Sequence, residues 1–443
     1  MKKLPALVLA ALLIFCTVSS TAESRNIPEL TTEPMTILLW DIAAEGSDQI
    51  NQEDAVARFM SDYPNITVKQ VHQQNSSYRS QLQEALSTPG GQPDMYIHWG
   101  GDLMAWCCRS GCANDITGLW NTYDHPDFID AAVAQSTIDG RVLAIPFGGI
   151  YGCFIFYNKA IFDELSLQEP TTIAELEAVC ETIRDACYYP FSLANLNGSA
   201  GSMYYMYLAA RHSGSAEFDA ACDGTGTFTS PAFIYAGGKI QDWVRKGYFN
   251  HGFNYMNAEN NEDCALLLQG AAAMMLQGSW QLSGIREADP QFYEDNLGVF
   301  RFPIDEEAEA AGVLQTVEIG TAIGNGFSFN CWLDEAHTQV DEEKLKACYV
   351  LATRYYNDNT YNRLQVESGS IPPVRGLDVT DNPNLNVVID TFSGASGVQL
   401  WYDRSLPASV MEVHKRMAGA LFALEVTPEE AGRAQDEAMA AAR

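Results

Sequence analysis

The sequence predicts an α/β protein of more than one domain, and three observations carry that expectation. Strand-like and helix-like stretches alternate through residues 35–97, the pattern of a parallel sheet with helices on its faces. The chain has 443 residues, too many for one ordinary hydrophobic core, so two or three domains are expected. Two Gly-rich apolar segments, 143–157 and 317–329, read as strands crossing from one domain into another.

The elements follow in order. Met1-Lys2-Lys3, the uncharged apolar run Leu4 to Phe15 and the small residues Ser20-Thr21-Ala22 form a secretory signal over residues 1–22. Its apolar run is too short to span a bilayer stably. Cys16 is a lipidation candidate, but bulky Phe15 stands where a lipoprotein signal carries a small residue, so cleavage after Ala22 is the preferred reading. The product is then secreted or periplasmic, with membrane anchoring at the cell surface as the alternative. Residues 23–35 are polar with two prolines and read as a flexible leader.

Met35 to Trp40 reads as a buried first strand, Asp54 to Tyr63 as an amphipathic helix stopped by Pro64, and Ile66 to Val68 as a second strand. Tyr78 to Leu86 is a second helix and Pro93 to Ile97 a third strand. Helices are expected over 161–165, 173–186, 203–210 and 233–246, and a buried run over 271–276. A clear amphipathic helix spans 342–356. Two helices close the chain, over 409–424 and 428–442; Thr427 caps the second, and Glu429 and Glu430 suit its positive end.

Composition removes several function classes. A formal charge of −31 repels nucleic acid and anionic lipid, so neither is an expected partner. Hydrophobic residues at 47% supply real cores. Past Cys16, ten cysteines remain; an even count in an exported chain permits disulfides whose pairing spacing cannot assign. Cys107-Cys108 with Cys112 resembles half a zinc knuckle, but no second pair lies nearby, and no metal or other cofactor is expected. Signatures of the common hydrolases, nucleotide binders and zinc proteases are absent, and no carboxylate pair stands out for glycoside hydrolysis. The chain is therefore not expected to be an enzyme.

Four motifs occur in a telling order: Phe156-Tyr157-Asn158-Lys159 with Ile161-Phe162 and Glu169-Pro170-Thr171-Thr172; Gly270 to Met275 with Gly278-Ser279-Trp280; Pro93-Asp94 before an apolar run; and Thr427-Pro428-Glu429-Glu430-Ala431. Through most of the mature chain the sequence resembles the family-1 extracellular solute-binding proteins of bacterial ABC transporters, which include maltose-binding protein. Ile173 stands where the family has a tryptophan. The resemblance implies a two-lobed periplasmic-binding-protein-like fold with a hinge and an interlobe ligand cleft. Lobe 1 would comprise 36–146 and 322–384, and lobe 2 147–321 and 385–443. It further implies a monomeric receptor that delivers a small carbohydrate to an ABC importer's membrane permease.

Ligands of parallel sheets lie beyond the carboxyl ends of the strands. That places Trp40, Asp41, Trp99 and Asp102 at one rim. Tyr151 lies in the first crossing, and Trp280 matches the family's Gly-x-Trp block. Asn195, Asn197, Trp401 and Asp403 complete the candidates: aromatic rings for sugar faces, polar groups for hydroxyls. Polyamine, peptide and ferric ligands are the alternatives, the last through the tyrosine pairs 188–189, 204–205 and 355–356; a ligand-presenting sensor would use the same fold.

Overall fold

The computed structural model describes residues 26–43, 46–321, 324–334, 336–367, 369–377 and 382–442. The expected signal peptide, Cys16 and the first residues of the leader lie outside them. No helix among the described residues is long and apolar enough to cross a membrane.

The first lobe begins with β1 (Met35–Asp41), α1 (Gly46–Asp62), β2 (Ile66–His72), α2 (Asn75–Ser87), β3 (Met95–His98) and α3 (Gly101–Arg109). β1 pairs in parallel with both β2 and β3, as the alternating pattern predicts. In β1 the residues facing the core, Ile37, Leu39 and Asp41, alternate with residues left accessible, so one face of the strand is buried from Ile37 on. α1 starts eight residues before the helix expected from apolar spacing. Its first two turns are polar and carry no periodic signal.

The crossing expected over 143–157 is two strands. β4 (Ile145–Phe147) belongs to the first sheet and β5 (Tyr151–Asn158) to the second, with three residues between them. β5 is buried along its whole length after Tyr151. That explains its unbroken apolar sequence, since a central strand covered on both faces shows no alternation.

The second sheet adds β6 (Tyr189–Ser192), α4 (Ser199–Ser213), β7 (Ala272–Gly278), α5 (Gln281–Ala288), β8 (Leu297–Phe300) and β9 (Val317–Thr321). The segment 317–329 divides in the same way: β9 stays in the second sheet and β10 (Asn325–Phe329) enters the first, antiparallel to β3 and β4. α6 (Glu342–Arg354) and α7 (Asn359–Glu367) then pack on the first lobe. Residues 369–375 run along the seam: Ile371 packs with the second lobe, and Val374 against the first. α8 (Pro383–Ser393), β11 (Gly397–Gln399), α9 (Tyr402–Ser405), α10 (Ala408–Phe422) and α11 (Pro428–Ala442) finish the second lobe. The sheet orders are β2-β1-β3-β10-β4 and β11-β9-β5-β7-β6, with β8 also pairing β5.

Glycines permit the close packing at the crossings. Gly152 and Gly320 are paired across β5 and β9, and the Phe392 ring of α8 lies over both; a Cβ at either position would sit 2.6 or 2.5 Å from that ring. The leader differs from its expectation. Residues 26–34 are docked on the first lobe: Asn26 bonds Asp124 and Thr122, and Asn65 Nδ2 donates to the carbonyls of Thr31 and Glu33. Leu30 packs on the first-lobe core beside these bonds; polar composition hid this, because hydrogen bonds to distant residues supply most of the anchoring and leave no periodic signal.

Candidate functional site: an aromatic cleft between the lobes

The second-lobe wall is built from three rings. Trp280 stands at the start of α5, where its indole lies flat over Gly278; a Cβ on that glycine would come within 2.2 Å of the ring. Tyr151, at the first position of β5, meets Trp280 edge-on with centroids 5.7 Å apart. Trp401 lies 5.5 Å from Trp280. Its Nε1–H donates to Cys153 Sγ at 3.0 Å, which fixes the indole on the strand behind it. Trp280 and Tyr151 keep partial access to solvent, while Trp401 is buried. The Tyr151 ring fits between Gly149 and Gly324, one from each crossing, so it sits at the pivot itself. Surrounding protein, with Asp48 adding its charge, pushes the phenol up to about 12, and its hydroxyl stays neutral, with Ser370 as hydrogen-bond partner.

Two arginines tie this wall to the first lobe. Arg404 lies 5.0 Å over the Trp401 ring and donates to the carbonyls of Trp99 and Gly324, both at 3.1 Å. Arg79 of α2 forms an ion pair with Asp102 at 2.7 Å and donates to the Asp403 carbonyl at 2.9 Å. One carboxylate oxygen of Asp403 is shielded and meets no donor among the described residues. The lobes approach so closely here that a Cβ on Gly101 would lie 2.0 Å from the Arg404 carbonyl oxygen.

Buried His98 shapes the first-lobe rim. The Gly100 N–H donates to its Nδ1 at 3.0 Å, leaving the proton on Nε2, which faces Ser328 Oγ at 2.9 Å; that hydroxyl donates to the Leu143 carbonyl. Burial, and Arg404 nearby, push the imidazole down to about 3. The chain of bonds pins the Gly100 turn, whose positive φ of 73° sets the start of α3 and hence the position of Asp102. Trp99 itself packs edge-on against Tyr78 at 5.5 Å.

Of the ten sequence candidates, Trp99, Asp102, Tyr151, Trp280, Trp401 and Asp403 converge on this cleft. Trp40 packs on the first-lobe core, and its carbonyl accepts from Tyr78. Asp41 is fully buried, 2.6 Å from His72 Nδ1, and accepts from Gln70 and from the Ala43 N–H. Asp41 is therefore a structural anchor between β1 and β2 and not a group open to a ligand. Asn195 is likewise buried, bonded to Asn254 and to the Gly201 N–H at the start of α4. Asn197 is exposed and accepts from the Ser199 N–H, closing the turn into the same helix.

Sequence reasoning missed Arg79, Arg404, Asp48 and Glu287. Asp48 keeps solvent access in the first turn of α1, yet protein crowds it from both lobes, Gln365 bonds it and Glu287 repels it. These causes, burial first, raise its carboxyl above 3.8. Glu287 reaches across from α5 to within 3.2 Å of where a Gly46 Cβ would stand. The available signal was position: Asp48 follows the carboxyl end of β1, and Arg404 adjoins two named candidates. Tyr204, Tyr205, Tyr355 and Tyr356 are buried in the cores, so those two pairs offer no accessible ferric ligands.

The profile of the bacterial extracellular solute-binding protein family matches residues 46–327, more than half of the chain. The chain belongs to this family. It is 32% identical to a multiple sugar-binding protein of Streptococcus mutans over 155 residues, 34% of this chain and 36% of that one. It is 25% identical to a maltotriose-binding protein of Pyrococcus abyssi over 264 residues, 58% of this chain and 52% of that one. The matched stretches thus span about a third to a half of these relatives. Among solved structures, a chitin oligosaccharide binding protein superposes with a TM-score of 0.79 at 21% identity, covering 92% of this chain and 98% of that one. A sugar transporter of Bacillus licheniformis in complex with stachyose gives 0.69 at 18% identity, covering 91% and 98%. These likenesses establish the two-lobed solute-binding fold.

Proposed function

We propose that the protein is an exported receptor that captures a saccharide in the interlobe cleft and presents it to an ABC importer's permease. The observation that carries this is an aromatic wall in which Trp280 meets Tyr151 at 5.7 Å and Trp401 at 5.5 Å, with Arg79 of the other lobe, paired to Asp102, reaching the Asp403 carbonyl beside it. A sugar ring is apolar on its faces and polar at its rim, and this wall offers both kinds of partner. The sugar-binding relatives point the same way.

No covalent step is needed. The link β4–β5 and the division of β9 and β10 between the two sheets mark the hinge. A ligand touching both walls binds the closed form better than the open one and shifts the population toward it. The permease reads that closed form. The receptor acts as a monomer in the extracellular or periplasmic space.

A thermal-shift screen tests the assignment. Ligands that bind only the folded state raise Tm by mass action. Saccharides are expected to raise it, and polyamines, amino acids and ferric ion to leave it unchanged. A shift confined to polyamine or iron overturns the assignment.

A further inference from the structure

Ten cysteines lie among the described residues, and two of their sulfurs meet: Cys331 Sγ and Cys348 Sγ are 3.9 Å apart. Both are buried, at 1% and 0% exposure. They come from different elements. Cys331 follows β10, and Cys348 lies one turn into α6 beyond its first turn. The backbone at Cys331 is held on both sides: its N–H donates to Asn114 Oδ1 at 2.7 Å, and its carbonyl accepts from the Asp341 N–H at 2.9 Å. The Lys344–Asp94 ion pair spans the same junction.

We propose that Cys331 and Cys348 form a disulfide when the chain folds outside the cytoplasm, cross-linking β10, the strand that leaves the hinge, to α6. Bonding brings the sulfurs from contact to about 2.05 Å, a change that side-chain rotation and small backbone shifts supply. Burial, with Cys348 alongside, holds the Cys331 thiol well above its usual range. The folded dithiol is therefore slow to exchange, and the bond forms during folding or local opening, when thiolate is accessible.

The oxidant is a small disulfide such as glutathione disulfide. One cysteine thiolate attacks it, giving a mixed disulfide and one glutathione thiol. The second cysteine thiolate attacks the mixed disulfide, forming the Cys331–Cys348 bond and releasing the second glutathione thiol. The two cysteine protons end on the two departing thiols. Two cysteines are oxidised and one glutathione disulfide is reduced. The inference rests on export, which the family implies, and not on the identity of the ligand.

The test is to refold the reduced protein with glutathione disulfide and glutathione, alkylate it in denaturant and digest it without reduction. One cross-linked peptide pair, 331 with 348, and eight alkylated cysteines are expected. Alkylation of all ten overturns the proposal, as does a cross-link between the neighbouring Cys107 and Cys112 in its place. The oxidised protein should melt about 5 °C above the reduced one, since the ring closed is short and the gain belongs to one lobe. That difference should vanish in Cys348→Ala. Should that variant fail to fold, the peptide map alone decides.

Discussion

Replacing Gly278 by alanine displaces Trp280 without removing it. The added methyl would lie 2.2 Å from one carbon of the indole and 2.3 Å from two more. Carbon atoms rest at about 3.5–4 Å, so the ring must retreat by more than about 1 Å or turn out of its seat. The strand itself accepts alanine, because the backbone of Gly278 is not in the left-handed region. Moving the indole breaks its packing with Tyr151 and Trp401 together. An aromatic contact is worth about 0.5–1.5 kcal/mol beyond area burial, so saccharide affinity should weaken by about 2- to 12-fold. Overpacking should also cost about 1–3 kcal/mol of stability. Calorimetric titration well below the variant's Tm separates the two effects. A folded Gly278→Ala variant with wild-type Kd would refute the role given to Trp280 and return it to the core.

Further expectations concern closure and protonation. Gly101→Ala places a methyl 2.0 Å from the Arg404 carbonyl at a backbone φ of +57°, so the lobes should be held apart; scattering should show a larger radius of gyration and calorimetry a weaker Kd. The Asp48 carboxyl is raised in the folded chain, so its charge opposes folding as pH rises above the ordinary value of 3.8. Asp48→Asn should therefore melt higher than wild type at neutral pH, with the gap closing below about pH 3.8. His98 moves oppositely. Held neutral down to about 3 against 6.5 when unfolded, it contributes stability that is full above pH 6.5 and lost as pH falls toward 3. By pH 4 that loss is about 3 kcal/mol, so a folded His98→Gln variant should lose less stability than wild type between pH 6.5 and 4, measured by denaturant midpoint.

The sequence revealed the cleft's aromatic half better than its polar half. Trp280 and Tyr151 were legible because they occupy a family block and a Gly-rich crossing, and the close packing that singles them out needs those same glycines. Asp41 misled for a physical reason. A strand's last residue points either to the cleft or to the core, and here the alternation of β1 turns it inward onto His72. Asn195 misled likewise: a polar residue after a strand can close the next turn as readily as meet a ligand. Arg79 and Arg404 carry no local pattern. Their roles arise from contacts between residues 324 and 305 positions apart, Arg79 with the Asp403 carbonyl and Arg404 with the Trp99 carbonyl, which no spacing rule reaches. Both crossings were visible as Gly-rich apolar segments. Their division into two strands was not; the first break opens on Gly148-Gly149, and glycine suits strand and turn alike.

The most direct test is a crystal structure of the protein with the saccharide that gives the largest thermal shift. The account predicts one sugar ring against Trp280 and Tyr151, with hydroxyls reaching polar groups of the opposite lobe. A saccharide bound on the outer face of either lobe, with the cleft left to solvent, would contradict it.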